Sequence, residues 1–264
     1  MNEQTDISLL IAPECGDTEQ AQRLRERFPL AVSAQEDAPY LRLDREGLAL
    51  VSGDQTLRGD LTRMLPRLKH GLSQELLVRA ARIKSSDGPL TAVDATAGLG
   101  EDSLLLAAAG FHVTLYERNP IIFELLRDAV LRAAQQPELA EVISRMKLVH
   151  GDSIEGMAGR ETAPDAILLD PMFPERQKSA LVKKKLQMIQ KLELPCLDER
   201  ALLLAAMRAG AQKLVIKRPP KGPYLAGLKP DHSITGKAVR FDVFVSPLSR
   251  LHKFQPLLEQ EETA

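Results

Sequence analysis

Two periods of apolar spacing run along the chain, one of about two residues and one of three to four, and they predict strands and helices respectively. Before residue 85 the segments are short and mixed. Residues 7–12 form an apolar run that predicts a strand, and residues 18–27 repeat at helical spacing. Leu41-Arg-Leu-Asp and Leu48-Ala-Leu-Val alternate as two strands of a hairpin turned at Arg45-Glu46-Gly47. A helix is expected to start within 60–65, and Ser73 stands as the N-cap of a second one over 74–83, with Leu76, Leu77, Ala80, Ala81 and Ile83 on its apolar side. The breaker cluster Ser85-Ser-Asp-Gly-Pro89 then predicts a boundary, with a small α+β domain over 1–85 and a larger domain over 86–264.

From residue 90 the two periods alternate. Strands are predicted over 90–94, 112–116, 147–150, 166–169, 214–217 and 241–246, and helices over 101–109, 120–134, 181–192 and 198–209. Strand–helix alternation predicts a mostly parallel sheet with helices on both faces, an α/β Rossmann-like domain. Pro120 falls at the first turn of its helix, where its missing N–H costs nothing.

Composition narrows this picture. A chain of 264 residues with 44% hydrophobic positions can bury a sizeable core. Its formal net charge is only −1, so any contact with nucleic acid must come from local basic patches. The two cysteines, Cys15 and Cys196, have no Cys or His neighbours at ligand spacing, which argues against a metal site and fits reduced thiols in the cytoplasm. The amino terminus is polar and acidic, unlike an export signal, and no run approaches the ~18 apolar residues of a membrane span. His70, His112, His150 and His232 also lack ligand partners and read as structural.

The most informative stretch is Asp94-Ala-Thr-Ala-Gly98-Leu-Gly100-Glu101-Asp102, which follows a strand and opens a helix. Glycines at such a turn let a ligand approach the backbone, and the helix amino end offers unpaired N–H groups. The next strand ends in an acid, Glu117, placed to hold a ribose diol. Asp94, Glu101 and Asp102 surround the turn with negative charge, which would repel a pyrophosphate and attract the sulfonium and ammonium of S-adenosylmethionine. Asp152 and Ser153 follow the third strand of the domain, where they would face an adenine.

Asp170-Pro171-Met172-Phe173-Pro174 follows the next strand, at the end where open α/β sheets bind ligands. An amine conjugated to a ring is a poor nucleophile, and acceptors for its two N–H groups make it a better one. The Asp170 carboxylate and the Pro171 carbonyl can serve, with Phe173 as a stacking face worth about 1–3 kcal/mol. This chemistry suits guanine N2, adenine N6 in RNA or DNA, or a glutamine amide. A nicotinamide oxidoreductase would need a Tyr-x-x-x-Lys or a paired His and Arg after the fourth strand, and neither is found.

The glycine turn, Glu117-Arg118-Asn119-Pro120, Asp170-Pro-Met-Phe-Pro174, Lys178-Ser-Ala-Leu-Val-Lys-Lys184, Val215-x-Lys217-Arg-Pro219 and Arg240-Phe-Asp242 together resemble the RsmJ family. The resemblance covers residues 90–245 and implies a class I S-adenosylmethionine-dependent methyltransferase that makes N2-methylguanosine in 16S ribosomal RNA of the small subunit, by family name at guanine 1516. It places cofactor contacts on Glu101, Asp102, Glu117, Arg118, Asp152, Ser153 and Asp170, of which Arg118 rests on the resemblance alone. RNA phosphates are then expected at two acid-free basic stretches, through Lys178, Lys183 and Lys184 in one and Lys217 and Arg218 in the other, with Tyr224 as a further stacking candidate. Docking of RNA is the role expected of the small domain.

Overall fold

The computed structural model describes residues 7–31, 33, 38–84, 88–171 and 199–253. Two sheets organise them. The smaller has the order β1-β2-β3-β4, built from Ser8–Ile11, Tyr40–Asp44, Gly47–Ser52 and Gln55–Leu57. The first pair is parallel and the other two antiparallel, with the expected hairpin turning at Asp44↔Gly47. Its first helix, α1 (Glu19–Arg25), begins where the Thr18 hydroxyl accepts from the Ala21 amide.

The larger sheet has the order β10-β11-β9-β8-β5-β6-β7, from β5 (Thr91–Asp94), β6 (His112–Glu117), β7 (Met146–His150), β8 (Ala166–Leu169), β9 (Lys213–Arg218), β10 (His232–Thr235) and β11 (Arg240–Val245). β5 through β9 run parallel, and β11 is antiparallel to both its neighbours. The chain moves outward from β5 to β6 and β7, then returns to β8 on the other side of β5. The order reverses between β5 and β8, which opens a crevice at their carboxyl ends.

The buried faces explain the helices. α2 (Leu65–Lys69), α3 (Leu76–Ala81), α4 (Glu101–Ala108), α5 (Pro120–Ala134) and α6 (Pro137–Ile143) lie on one side of the sheet, where Leu77, Leu104, Leu126 and Leu139 share a core with Val113 and Val215. α7 (Ser153–Ala158) and α8 (Glu199–Arg208) cover the other side through Met157, Leu203 and Met207 against Ile167 and Ile216. Residues 61–81 thus pack with the large sheet although they precede the breaker cluster. Ser73 does not cap α3. It lies in a 3-10 turn, Leu72–Gln74, whose following amides already bond to Gly71 and Leu72, and Glu75 occupies the N-cap position. The expected helix over 181–192 falls outside the described residues.

The small sheet is tied to α5. Ile121 and Leu125 complete its core with Leu9, Leu24 and Leu50. Around them, Glu124 is fully buried and accepts from Arg27 at 2.5 Å and Arg23 at 3.4 Å. Asp128 accepts from Gln20 at 2.8 Å and from Arg132 at 2.8 Å, and Arg132 also donates to the Gly59 carbonyl. Each buried carboxylate has cationic or amide donors, which is what makes its burial tolerable.

Gly156 in α7 packs directly on the Tyr116 ring, so that a Cβ there would clash with the ring edge and its hydroxyl. Gly156→Ala is expected to destabilise the protein by about 1–3 kcal/mol, read as a lower urea midpoint at unchanged slope. An unaltered midpoint would mean that Tyr116 can give way freely.

Candidate functional site

The crevice is lined by groups at the carboxyl ends of five parallel strands. After β5 the chain turns through Gly98 (φ 54°) and Gly100 (φ 81°), both in the left-handed region that glycine adopts without strain. A Cβ on Gly98 would meet nothing within 4 Å, so the space over the turn is open to a ligand. Gly100 is the N-cap of α4, whose first turn carries Glu101 and Asp102, favourable positions for acids at a helix amino end. Glu101 is exposed and Asp102 half-buried.

Asp94 sits beneath this turn at 2% exposure. Its oxygens accept from the Thr96 amide at 3.1 Å and the Ser103 hydroxyl at 2.5 Å. Burial pushes its carboxyl up to about 7, with Ser103 and Thr96 opposing and Asp102 and Asp170 adding to the rise. Asp94 therefore supports the turn from below and does not itself line the open crevice.

Glu117 ends β6 at 6% exposure. It accepts from the Gly98 amide at 3.1 Å and the Asn119 amide at 2.8 Å, which bolts the glycine turn to the tip of the neighbouring strand. Burial raises its pKa, and the Asn119 and Gly98 amides counter that rise. Each oxygen keeps a second lone pair, so a diol can still be received. Arg118 is exposed in the following turn.

Asp152 and Ser153 follow β7. The Asp152 carboxylate caps α7 by accepting from the Ile154 amide at 2.7 Å, and Ser153 is buried. Beside them His150 stacks on Phe123 with ring centroids 4.9 Å apart and meets Arg27 at 3.2 Å. Burial and the Arg27 charge hold its pKa below the ordinary value.

Asp170 follows β8, and the sequence pattern overlooked two residues that hold it. Its amide donates to the Thr96 hydroxyl at 2.6 Å, and its carboxylate lies 2.8 Å from the Lys217 ammonium. Lys217, at the end of β9, also meets Asp102 at 2.5 Å. Burial opposes the charge on Lys217, but the two carboxylates outweigh it and hold the ammonium above its usual pKa. Burial raises the Asp170 carboxyl, with Lys217 opposing most strongly. Pro171 is buried next to it, while Phe173, Lys178, Lys183 and Lys184 fall outside the described residues.

Two residues expected to contact phosphate are engaged elsewhere in this arrangement. Lys217 is committed to Asp102 and Asp170 across the crevice. Arg218 is only 2% exposed and donates to the Pro223 carbonyl at 2.8 Å. Successive strand residues face opposite ways, so a basic pair in the sequence serves two separate structures. Arg240 completes the second one: it donates to the Pro220 and Gly222 carbonyls at 3.1 Å, grips Asp242 with two bonds of 2.8 Å, and lies 5.0 Å over the half-exposed Tyr224 ring.

The donor set fits a cationic nucleoside ligand. Glu117 can take a diol, Asp152 and Ser153 stand at the next strand end for an adenine, and Asp102 and Asp170 can take an ammonium, all around one open glycine turn.

Residues 23–246 match the family model described as "Putative SAM-dependent methyltransferase". Ribosomal RNA small subunit methyltransferase J of Thioalkalivibrio sulfidiphilus is 46% identical over 177 residues, 66% of this chain and 69% of that protein. The protein of the same name from Pseudomonas aeruginosa is 36% identical over 242 residues, 88% of this chain and 92% of that one. A crystal structure of a SAM-dependent methyltransferase from Neisseria gonorrhoeae superposes with a TM-score of 0.71 at 31% identity, covering 90% of this chain and 96% of that one.

Asp94 also sets a pH dependence. Its folded pKa of about 7 lies above the ~3.9 of an unfolded chain, so the folded state keeps a proton that the unfolded one loses. That contribution is full below about pH 4 and fades as pH rises towards 7. Asp94→Asn should therefore lose less stability than the parent between pH 4.5 and 7.5, measured as urea midpoints across the range; parallel curves would refute the assignment.

Proposed function

The chain belongs to the ribosomal RNA small subunit methyltransferase J family of SAM-dependent methyltransferases, and from that membership we propose that it methylates the exocyclic N2 amine of a guanine in 16S ribosomal RNA. The fold is that of class I enzymes, and S-adenosylmethionine is the cofactor. The observation that carries the proposal is Asp170, held by Thr96 and Lys217 at the switch point between β5 and β8, inside the acidic ring that suits the cofactor.

When bound, S-adenosylmethionine supplies an electrophilic methyl group. Glu117, Asp152 and Ser153 would hold its nucleoside, and Asp102 its ammonium. Asp170 accepts hydrogen bonds from the guanine amine, withdrawing it from conjugation so that its lone pair can point at the methyl carbon. Two devices hold that acceptor still: the Thr96 bond fixes the Asp170 backbone, and Lys217 fixes its carboxylate. The amine would form one N–C bond as the methyl's bond to sulfur breaks, the sulfonium leaving as a neutral thioether, and would then give up one proton to water. Adenine N6 offers a similar planar amine and is the alternative; the likeness to rRNA small subunit enzymes supports the guanine. We place the activity in the cytoplasm, with small-subunit RNA as its partner. Among the described residues no helix is long and apolar enough to cross a membrane.

Labelled cofactor, incubated with small subunits from cells lacking the enzyme, is expected to yield labelled N2-methylguanosine on nucleoside mass spectrometry. Label in N6-methyladenosine would move the reading to adenine, and none in either base would overturn it.

Asp170 must be ionised to accept from the amine, so activity should fall as pH drops through its raised pKa. Asp170→Asn is expected to lower kcat on the order of a hundredfold above that pKa and to remove the acid limb. Lys217→Met should shift the acid limb of the kcat profile to higher pH, where one unit is a tenfold loss at a fixed acidic pH. An unmoved limb would show that Lys217 does not govern Asp170.

A further inference from the structure

The acids that suit the crevice to a cationic cofactor make it a poor place to anchor an RNA backbone. Glu101, Asp102, Glu117, Asp152 and Asp170 gather there, and Lys217 is already neutralised by two of them. Phosphates need cations that no carboxylate has claimed. One cleft among the described residues has them. About 450 Å³ in volume, it is lined by Arg79, Arg82, Ile83, Lys84 and Lys213. Arg79, Arg82 and Lys84 are exposed and Lys213 is half-buried. Among the described residues none of the four cations has an acidic partner within 4.0 Å.

The cleft is built and not merely a solvated face. Lys213 donates to the Ala80 carbonyl at 3.0 Å, at the carboxyl end of α3, where free carbonyls favour a cation. This holds the ammonium in place beneath the three exposed charges. The nearby Asp165 turns its oxygens to the Thr91 amide and hydroxyl and to Gln212, and among the described residues it forms no ion pair with these cations. Burial lowers the Lys213 pKa, and the charges of Lys84 and Arg82 lower it further, as expected of cations crowded without counter-charge.

Its position relates it to the catalytic centre. Lys213 begins β9 and Lys217 ends the same face of that strand, four residues or about 13 Å away. α3 spans the interval on the outside. Its amino end lies near the crevice, where Arg67 pairs with Glu75 and feels the charges of Asp102 and Glu101; its carboxyl end forms the cleft.

We propose that the cleft of Arg79, Arg82, Lys84 and Lys213 is a phosphate-binding site that docks the RNA backbone while the target base reaches Asp170. The inference rests on the reading of the protein as an RNA methyltransferase. It assigns the docking contact to the place where the end of α3 meets the start of β9, and it explains how a chain of net charge −1 with an acidic crevice can hold a polyanion. The contact is to phosphate and is blind to base identity, so the crevice alone selects the nucleotide.

The test combines Arg79→Ala, Arg82→Ala and Lys84→Ala in the full chain and leaves the structural Lys213 in place. Affinity for small-subunit RNA is followed by fluorescence anisotropy between 50 and 200 mM salt. The variant should bind at least about tenfold more weakly at the low-salt end, and the slope of log affinity against log salt should be shallower by about one per phosphate contact removed. S-adenosylhomocysteine affinity and the melting temperature should match the parent. A companion variant, Arg79→Lys with Arg82→Lys, keeps the charges and should keep the slope, so lost binding there would expose a folding defect. Unchanged RNA affinity and slope in the alanine variant would overturn the site. Failure of the parent enzyme to form any methylated nucleoside, with the RNA-binding difference intact, would instead overturn the catalytic reading and leave the docking site standing.

Discussion

Two carboxylates, Asp102 from the start of α4 and Asp170 from the end of β8, face each other across the switch point and would repel if left alone. The Lys217 ammonium between them, 2.5 Å from one and 2.8 Å from the other, turns that repulsion into a clamp. The clamp joins the helix of the glycine turn, the loop after β8 and the end of β9, three segments distant in sequence. It also divides labour in the crevice. Among the described residues Asp94 beneath makes no ion pair, and burial pushes its carboxyl up to about 7. Asp170 has a cation opposing the rise that burial imposes. Acids ending two neighbouring strands thus acquire different jobs from one lysine.

Much of this site could be read along the chain because its parts are local. A glycine turn, the acid ending the next strand and the Asp-Pro loop each declare themselves within a few residues, and the alternation of strands and helices gives their order. Helix α5, Pro120–Ala134, and strand β8, Ala166–Leu169, were anticipated to the residue because one has a proline start and the other is a short unbroken apolar run.

Other elements were hidden for physical reasons. β10 is almost wholly exposed, so it has no apolar alternation to betray it, and only pairing with β11 makes it a strand. α7 is six residues long and opens with Gly151-Asp152-Ser153, which reads equally well as a turn; its Asp152 cap and the contact of Met157 with the far side of the sheet decide the matter. Lys217 and Arg218 looked like one basic patch because adjacency in sequence conceals that a strand sends neighbours to opposite faces. The roles of Thr96 and Lys217 depend on the register β8 takes beside β5 and β9, which no local pattern records.

Helix α5 belongs to two cores at once, giving Leu126 and Ala129 to the large sheet and Ile121 and Leu125 to the small one. Its N-cap, Asn119, donates its backbone amide to the Glu117 carboxylate, so the helix that anchors the small sheet begins at the carboxylate proposed to receive the nucleoside. The small unit is for this reason not a detachable module. Cutting it away would leave Glu124 without Arg23 and Arg27, and Asp128 without Gln20, partners from α1 and the turn after it, and strip the cover from an apolar stripe. The two halves must be inherited, recombined and engineered as a single piece, and substitutions in α1 are constrained by catalysis they never touch.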